Sequence, residues 1–389
     1  MNKRPFIILS AFLLLFSLIE KGQATETYRP ETSVAGFIQL PGSGRQVYNF
    51  NPGWRFFRGD VRGAEVVNFD DRSWNVVSTP HTVELMPAEG SGCRNYQGPA
   101  WYRKHFVLPA ETKGKRVVLH FEAAMGKQIL YLNGKRIQEH LGGYLPFTLD
   151  LTANGVQAGD SCLLAVFTDN SDDKSYPPGK RQYTLDFAYH GGIYRDVWMI
   201  AKSPVAITDA IDSQIVGGGG VFVHFDKISE KSAQVYVNTE VQNDDARSES
   251  VTVETTLTDA DGKVIKRSSG KLSLKPGEKK SIRQQMEVKN PTLWSPDTPY
   301  LYRVQSRIKK GNKSIDGGIT RVGIRLAEFR GKDGFWLNGK PFGQLVGANR
   351  HQDFAYVGNA LPNSQQWRDA KRLRDAGCTI CLLYTSPSP

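Results

Sequence analysis

The chain has 389 residues, 39% of them hydrophobic and 23% charged, a balance that excludes wholesale disorder and leaves room for two or three domains. Four cysteines are too few for a disulfide scaffold, while 38 glycines and 20 prolines imply many turns. The net charge is +11, or +9 without residues 1–24, but the basic residues (Lys279-Lys280, Lys309-Lys310, Lys371-Arg372) are scattered among acids. The excess therefore reads as a solvated face, and nucleic acid is not an expected partner.

Lys3-Arg4 precede a 14-residue apolar stretch, Phe6 to Ile19, and Gly22 and Ala24 flank Gln23. A basic start, an apolar core and a small-x-small site describe a secretory signal peptide over 1–24, cleaved near Thr25. The core falls short of the roughly 20 apolar residues of a membrane span. The expectation is a periplasmic or secreted protein with no stable membrane span after cleavage, an uncleaved anchor being the alternative. In such a compartment Cys93 and Cys162 either pair or remain two separate buried thiols.

Residues 25–44 read as an N-terminal linker, and short strands and turns fill 45–203. In 117–123 the alternate residues Val117, Leu119, Phe121 and Ala123 are apolar, the period of a half-buried strand. Gln128–Leu132 leads into Asn133-Gly134, a dipeptide that accepts positive φ in a tight hairpin. Leu163–Phe167 is apolar on both faces and reads as a covered strand. A β-sandwich of about 160 residues fits this stretch.

Ser203-Pro204 and the glycines 217–220 bracket a composition shift. From 204 to 325 a second set of strands follows, with Val235, Val237, Thr239 and Val241 on one face and a hairpin turn at Asp261-Gly262. This spacing suits an immunoglobulin-like sandwich without the usual inter-sheet cysteines. From 326 to 380 the pattern changes again. Phe335–Lys340 reads as a hairpin and Gln344–Gly347 as a short buried strand. Ser364 is the expected N-cap of a helix burying Trp367, Ala370, Leu373 and Ala376, with Gly377 at C′. Cys378–Leu383 reads as a second buried strand, which makes a βαβ unit and requires parallel pairing. Cys378-x-x-Cys381 has no second ligand pair and is discounted as a zinc site.

Eight motifs occur in order along the chain. They are Asn51–Phe56; Phe69–Trp74 with Thr79–Thr82; Trp101–Phe106; Tyr131–Gly134; Gly142–Phe147; Gly191–Trp198; Asn290–Pro296; and Gly347–Asp353. This succession resembles glycoside hydrolase family 2, and its last motif is most similar to the family's β-galactosidases. The resemblance implies a multidomain, mainly β fold: a jelly-roll sugar-binding domain, an immunoglobulin-like domain, then the first βαβ unit of a (β/α)₈ barrel whose active site lies at the C-terminal strand ends.

The resemblance also implies a retaining exo-glycosidase acting on terminal β-D-galactosides through two carboxyls about 5–5.5 Å apart. After Arg325 the carboxylates are Glu328, Asp333, Asp353, Asp369 and Asp375, and none matches the family's two catalytic glutamates, so no catalytic residue is assigned and this chain alone is expected to be inactive. The motifs carry over four substrate-binding positions: His351 in Asn-Arg-His; Asp186, seven residues before Ile193; Asn95, upstream of Trp101-Tyr102-Arg103; and Arg350, which otherwise orders its own loop. Asp186 is also the expected ligand of a sodium or magnesium ion; no organic cofactor is implied. Asp353 reads as rim structure, and Trp54, Trp74 and Trp198 as core rather than sugar platforms.

Cys381–Pro389 departs from the family's pattern and is expected to be a non-native tail, and residues after about Arg330 are expected to be labile. The expected partner is a β-galactoside oligosaccharide or glycan, with a homo-oligomer left open. Rival readings are β-glucuronidase or β-mannosidase, a non-catalytic carbohydrate-binding protein, and a structural adhesion module.

Overall fold

The computed structural model of the chain describes residues 31–32, 39–87 and 94–383. The signal-like segment 1–24, most of the linker 25–44, Cys93 and the end of the tail lie outside the described residues. Among the described residues no helix is long and apolar enough to cross a membrane.

The first domain is a sandwich of two antiparallel sheets. One is built on Gln46–Asn49, Val197–Lys202, Arg116–Phe121 and Phe147–Asp150; the other on Trp54–Arg58, Pro99–Val107, Ser161–Asp169 and Lys127–Leu132. The Asn133-Gly134 turn is a hairpin with φ +50° and +82°, so the dipeptide supplies both left-handed residues that this tight turn requires. Trp54 and Trp198 are fully buried and Trp74 nearly so.

Two adjacent basic residues explain two of the motifs. On Pro99–Val107 side chains alternate between faces, so Arg103 and Lys104 leave the strand in opposite directions. Arg103 is fully buried beneath the 64–74 loop. It pairs with Asp71 at 2.8 Å and donates to the carbonyls of Ala64, Val66 and Phe69. Lys104 points into the core, donates to the carbonyls of Phe50 and Pro52, and stands 3.9 Å from the Phe50 ring centre. Burial pulls its ammonium well below the ordinary lysine range. The Asn51–Phe56 and Phe69–Trp74 motifs thus each supply acceptors to a buried basic side chain, the Pro52 carbonyl to Lys104 and the Phe69 and Asp71 oxygens to Arg103.

Cys162 carries a free buried thiol, pushed up to about 11 by burial, while Cys93 lies outside the described residues.

The second domain is also a sandwich. Val205–Ile207, Ser232–Asn243, Val221–Asp226 and Lys279–Lys289 form one sheet; Val264–Leu274, Glu249–Thr258, Tyr302–Lys310 and Lys313–Val322 form the other. Val235, Val237, Val241 and Val253 fill its core. The two sandwiches are joined by Arg45, whose guanidinium meets both oxygens of the fully buried Asp316 at 2.8 and 2.7 Å. Asp316 also accepts the Ile207 amide at 2.8 Å, so one carboxylate ties three segments together.

Beyond the second sandwich, Phe335–Leu337 and Lys340–Pro341 form the expected hairpin about Asn338-Gly339. Asn338 donates to the Trp294 carbonyl at 3.0 Å, fastening it to the Asn290–Pro296 motif. Gly347–Arg350 then pairs in parallel with Ile380–Leu383 across the helix Asn363–Asp375, the βαβ unit. Three details differ from the sequence expectation. The first strand lies at 347–350 rather than 344–347, and its first three residues are exposed. The helix begins at Asn363, with Ser364 inside its first turn and no side-chain cap. None of its residues is buried, Trp367 being 68% exposed, and Ile380 of the following strand is 49% exposed. These positions are patterned for neighbours that the described residues do not supply. The C-terminal signal is met in full: Gly377 has φ +89°, and the amides of Gly377 and Cys378 close on Arg374 and Leu373 in a Schellman motif.

Candidate functional site

The strand Gly347–Arg350 delivers His351 to the end of the βαβ unit that the first sandwich covers. The His351 ring lies 6.0 Å from that of Phe187, a residue of the first domain that is almost fully buried. Asp186 precedes Phe187 and is exposed, so the fold brings the 186–187 segment and His351 together from 165 residues apart in sequence. A carboxylate can accept hydrogen bonds from sugar hydroxyls, and an imidazole can donate or accept them.

The other two positions are engaged by the protein itself. Arg350 donates to Asp369 at 2.6 Å, with both side chains largely buried, and Gln365 holds the second Asp369 oxygen at 2.8 Å. Arg350 therefore locks the strand to the helix, the loop-ordering alternative. Asn95 donates to the Tyr189 carbonyl at 2.9 Å and accepts from Gln182 at 2.6 Å. Its amide thus anchors the segment that carries Asp186 and Phe187.

The residues that seat the His351 loop come from the first domain. Arg195 donates to Gln352 Oε1 at 2.8 Å and to the Asn359 carbonyl. Asp196 accepts from Asn363 at 3.0 Å and from Asn51 at 2.8 Å. The Tyr356 amide donates to the Met86 carbonyl at 2.5 Å. His190, 2% exposed, faces Asp353 at 3.5 Å. Gly358 lies against the His190 ring at φ +52°, where a Cβ would come within 2.6 Å of the imidazole; only glycine fits. Ala360 completes an apolar cluster with Met125, Phe187, Tyr189 and Tyr194.

Sequence reasoning missed Arg195, Asp196, His190 and Gly358 as parts of the site. The first three lie in or beside the Gly191–Trp198 motif, which was read as framework. Its pair of charged residues inside an otherwise apolar run was the available signal.

Four of the described carboxylates after Arg325 face basic partners. Glu328 is bound to Arg330 at 2.7 Å, Asp369 to Arg350 and Asp375 to Lys371 at 2.5 Å, and Asp353 faces His190. Among the described residues no three His, Cys, Asp or Glu side chains gather as a metal site. Asp186 offers a cation one carboxylate and no assembled donor set.

The sequence model of Glycosyl hydrolases family 2 matches residues 219–325, and that of Glycosyl hydrolases family 2, sugar binding domain, matches residues 66–204. The chain belongs to glycoside hydrolase family 2. Among its relatives, a beta-galactosidase of Thermoanaerobacter pseudethanolicus is 34% identical over 85% of this chain and 42% of its own length. A beta-glucuronidase of Formosa agariphila is 32% identical over 87% of this chain and 36% of its own. Bacteroides uniformis beta-glucuronidase 2, solved covalently bound to cyclophellitol-6-carboxylate aziridine, superposes with a TM-score of 0.78 at 31% identity, covering 87% of this chain and 39% of that one. The chain therefore spans about two fifths of the length of the family members it matches.

Proposed function

We propose that this chain is the sugar-binding front of a retaining exo-glycosidase that cleaves terminal β-D-galactosides, and that it binds but does not hydrolyse without further barrel residues. The observation that carries the galactoside reading is that exposed Asp186 adjoins Phe187, whose ring lies 6.0 Å from that of His351, while Arg350 and Arg195, which meet that loop, are already bonded to Asp369, Gln352 and Asn359. A neutral sugar can donate its hydroxyls to Asp186. A uronate would set a second carboxylate beside it, without a guanidinium of this loop left to offset the repulsion.

A second reading, a β-glucuronidase, has a specific support of its own: several relatives bear that name, and the inhibitor bound to one carries a 6-carboxylate. That covalent adduct also supports a nucleophilic mechanism with a glycosyl-enzyme intermediate. The deciding experiment is kcat/KM of the full-length gene product on p-nitrophenyl β-galactoside and β-glucuronide. Faster turnover of the galactoside supports the reading; a preference for the glucuronide overturns it.

The basic-apolar start supports export to the periplasm or beyond. A sodium or magnesium ion would find Asp186 as its protein carboxylate, with hydroxyls of the substrate as natural further oxygen ligands; no step of the binding argued above depends on it. Calorimetric titration of each ion into wild type and Asp186→Asn decides this point, since equal heats in both would remove it.

A further inference from the structure

The basic residues that look scattered in the second domain are gathered by its fold. In the sheet of Val264–Leu274, Glu249–Thr258, Tyr302–Lys310 and Lys313–Val322, alternate side chains face the core and the outside. Val304, Ser306 and Ile308 are buried between exposed Arg303 and the half-buried Arg307 and Lys309. On the edge strand Ser268, Gly270 and Leu272 are half-buried, and Arg267 and Lys271 are exposed between and beside them. The register completes the pattern. Arg267 lies opposite Thr256, Lys271 opposite Thr252, Thr252 opposite Lys309, and Arg303 opposite Arg321. With strands about 4.8 Å apart and alternate residues about 6.8 Å apart, six cations share one sheet face.

The carboxylate among them, Glu254, is spent on Lys309 at 2.9 Å, so it does not offset Arg267, Lys271 or Arg303. The far corner is closed: Arg307 donates to the Pro41 carbonyl at 2.9 Å, and Leu40 and Ser43 rest on Gly317. The edge-strand side stays open.

We propose that this face binds an acidic polysaccharide. Arg267, Lys271 and Arg303 pair with its carboxylate or sulfate groups, while the interleaved Thr252, Ser269 and Gln305 meet its hydroxyls. The surface is flat and polar, which suits a chain lying along it. Charge alone would also attract nucleic acid, but single strands are held by aromatic platforms, and the one aromatic residue of these four strands, Tyr302, is turned into the core at 4% exposed. The site is separate from the Asp186–His351 loop, so the proposal stands whichever sugar that loop prefers.

The test titrates the whole chain with polygalacturonate and with neutral dextran, by calorimetry at rising salt. The acidic polymer binds and dextran does not. Arg267→Gln/Lys271→Gln/Arg303→Gln weakens binding at least about tenfold and flattens the dependence of log K on log salt by about two to three, as loss of three cation contacts requires. Lys113→Gln/Lys135→Gln/Lys180→Gln, three exposed lysines of the first sandwich, removes the same charge and leaves affinity within about twofold; circular dichroism checks that both variants fold. Equal weakening by both triples reduces the effect to net charge and overturns the proposal. So does absence of binding, or tighter binding to duplex DNA or to anionic phospholipid vesicles.

Discussion

Replacing Arg195 by leucine removes the bonds that hold the His351 loop to the first sandwich, and its size can be worked from the contacts. Two of the three acceptors of this guanidinium, Gln352 Oε1 and the Asn359 carbonyl, lie across the junction; the third is its own neighbour's carbonyl, Tyr194. A hydrogen bond from a charged donor contributes about 1.5–3 kcal/mol. The two share one side chain, and Asp196–Asn363 and Tyr356–Met86 still hold the loop, so the loss is about 2–4 kcal/mol in the free energy of opening 352–363 rather than the full sum. At about 1.4 kcal/mol per decade, amides that report this opening exchange roughly 30- to 900-fold faster. Suitable reporters are Tyr356, Gly358 and Ala360, whose amides are bonded to Met86, Phe354 and Val357. Native-state hydrogen exchange by mass spectrometry reads them directly. Amides of the core strands Arg116–Phe121 and Val197–Lys202 should keep their wild-type protection. Unchanged exchange at the three reporters would refute the latch. Equal acceleration everywhere would make Arg195 a general core residue instead.

Three further outcomes follow from the same contacts. Burial holds the His81 imidazole down to about 4 against an ordinary 6.5. The unfolded chain therefore takes up the proton first as pH falls, so stability is full above about 6.5 and declines by about 3 kcal/mol toward pH 4. Urea midpoints at pH 7, 5 and 4 should show that decline in wild type and a flatter line in His81→Gln; parallel lines would contradict it. Arg103→Met strands the Asp71 carboxylate beside His105 alone and should cost about 3–5 kcal/mol, while Asp71→Asn/Arg103→Met should recover part of it in urea melts followed by tryptophan fluorescence. Limited proteolysis should cut first at 343–347 and in the exposed helix Asn363–Asp375, and later within 352–361, because the latter is bonded to the first sandwich; early cleavage at Gly358 would count against the docking.

Much of the architecture was legible because local chemistry and tertiary environment agree. Asn133-Gly134 and Asn338-Gly339 form the hairpins their dipeptides predict, and Gly377 ends its helix in the left-handed region. Alternation marked the strands of both sandwiches for the same reason. The misses arise where a residue's partner is remote. The strand at 347–350 was placed three residues early because Gln344–Gly347 is the more apolar stretch; the position is set by parallel pairing to Ile380–Leu383, which local pattern does not encode. Asn95 and Arg350 have the right chemistry for sugar contact, yet Tyr189, Gln182 and Asp369 claim them, and no spacing rule foretells those bonds. His351 and Asp186 were legible only through resemblance, and the ring contact through Phe187 is what joins them.

The geometry assigns the first sandwich a part in building the site that its sugar-binding label does not express. The strand that leads to His351 is exposed and pairs with a single neighbour, so sheet formation by itself gives that loop little order. The order comes instead from Arg195, Asp196, His190 and Met86, every one of them in the first domain, and from an apolar seat that ends on Ala360. Arg195 and Asp196 sit directly before Val197–Lys202, a strand buried at every position and clamped between two others. The loop is thus referenced to a buried, doubly paired strand of the first sandwich rather than to its own exposed strand. The Gly191–Trp198 and Gly347–Asp353 motifs are then the two halves of one joint. A change in either half should be felt at His351 before it is felt in the stability of the sandwich.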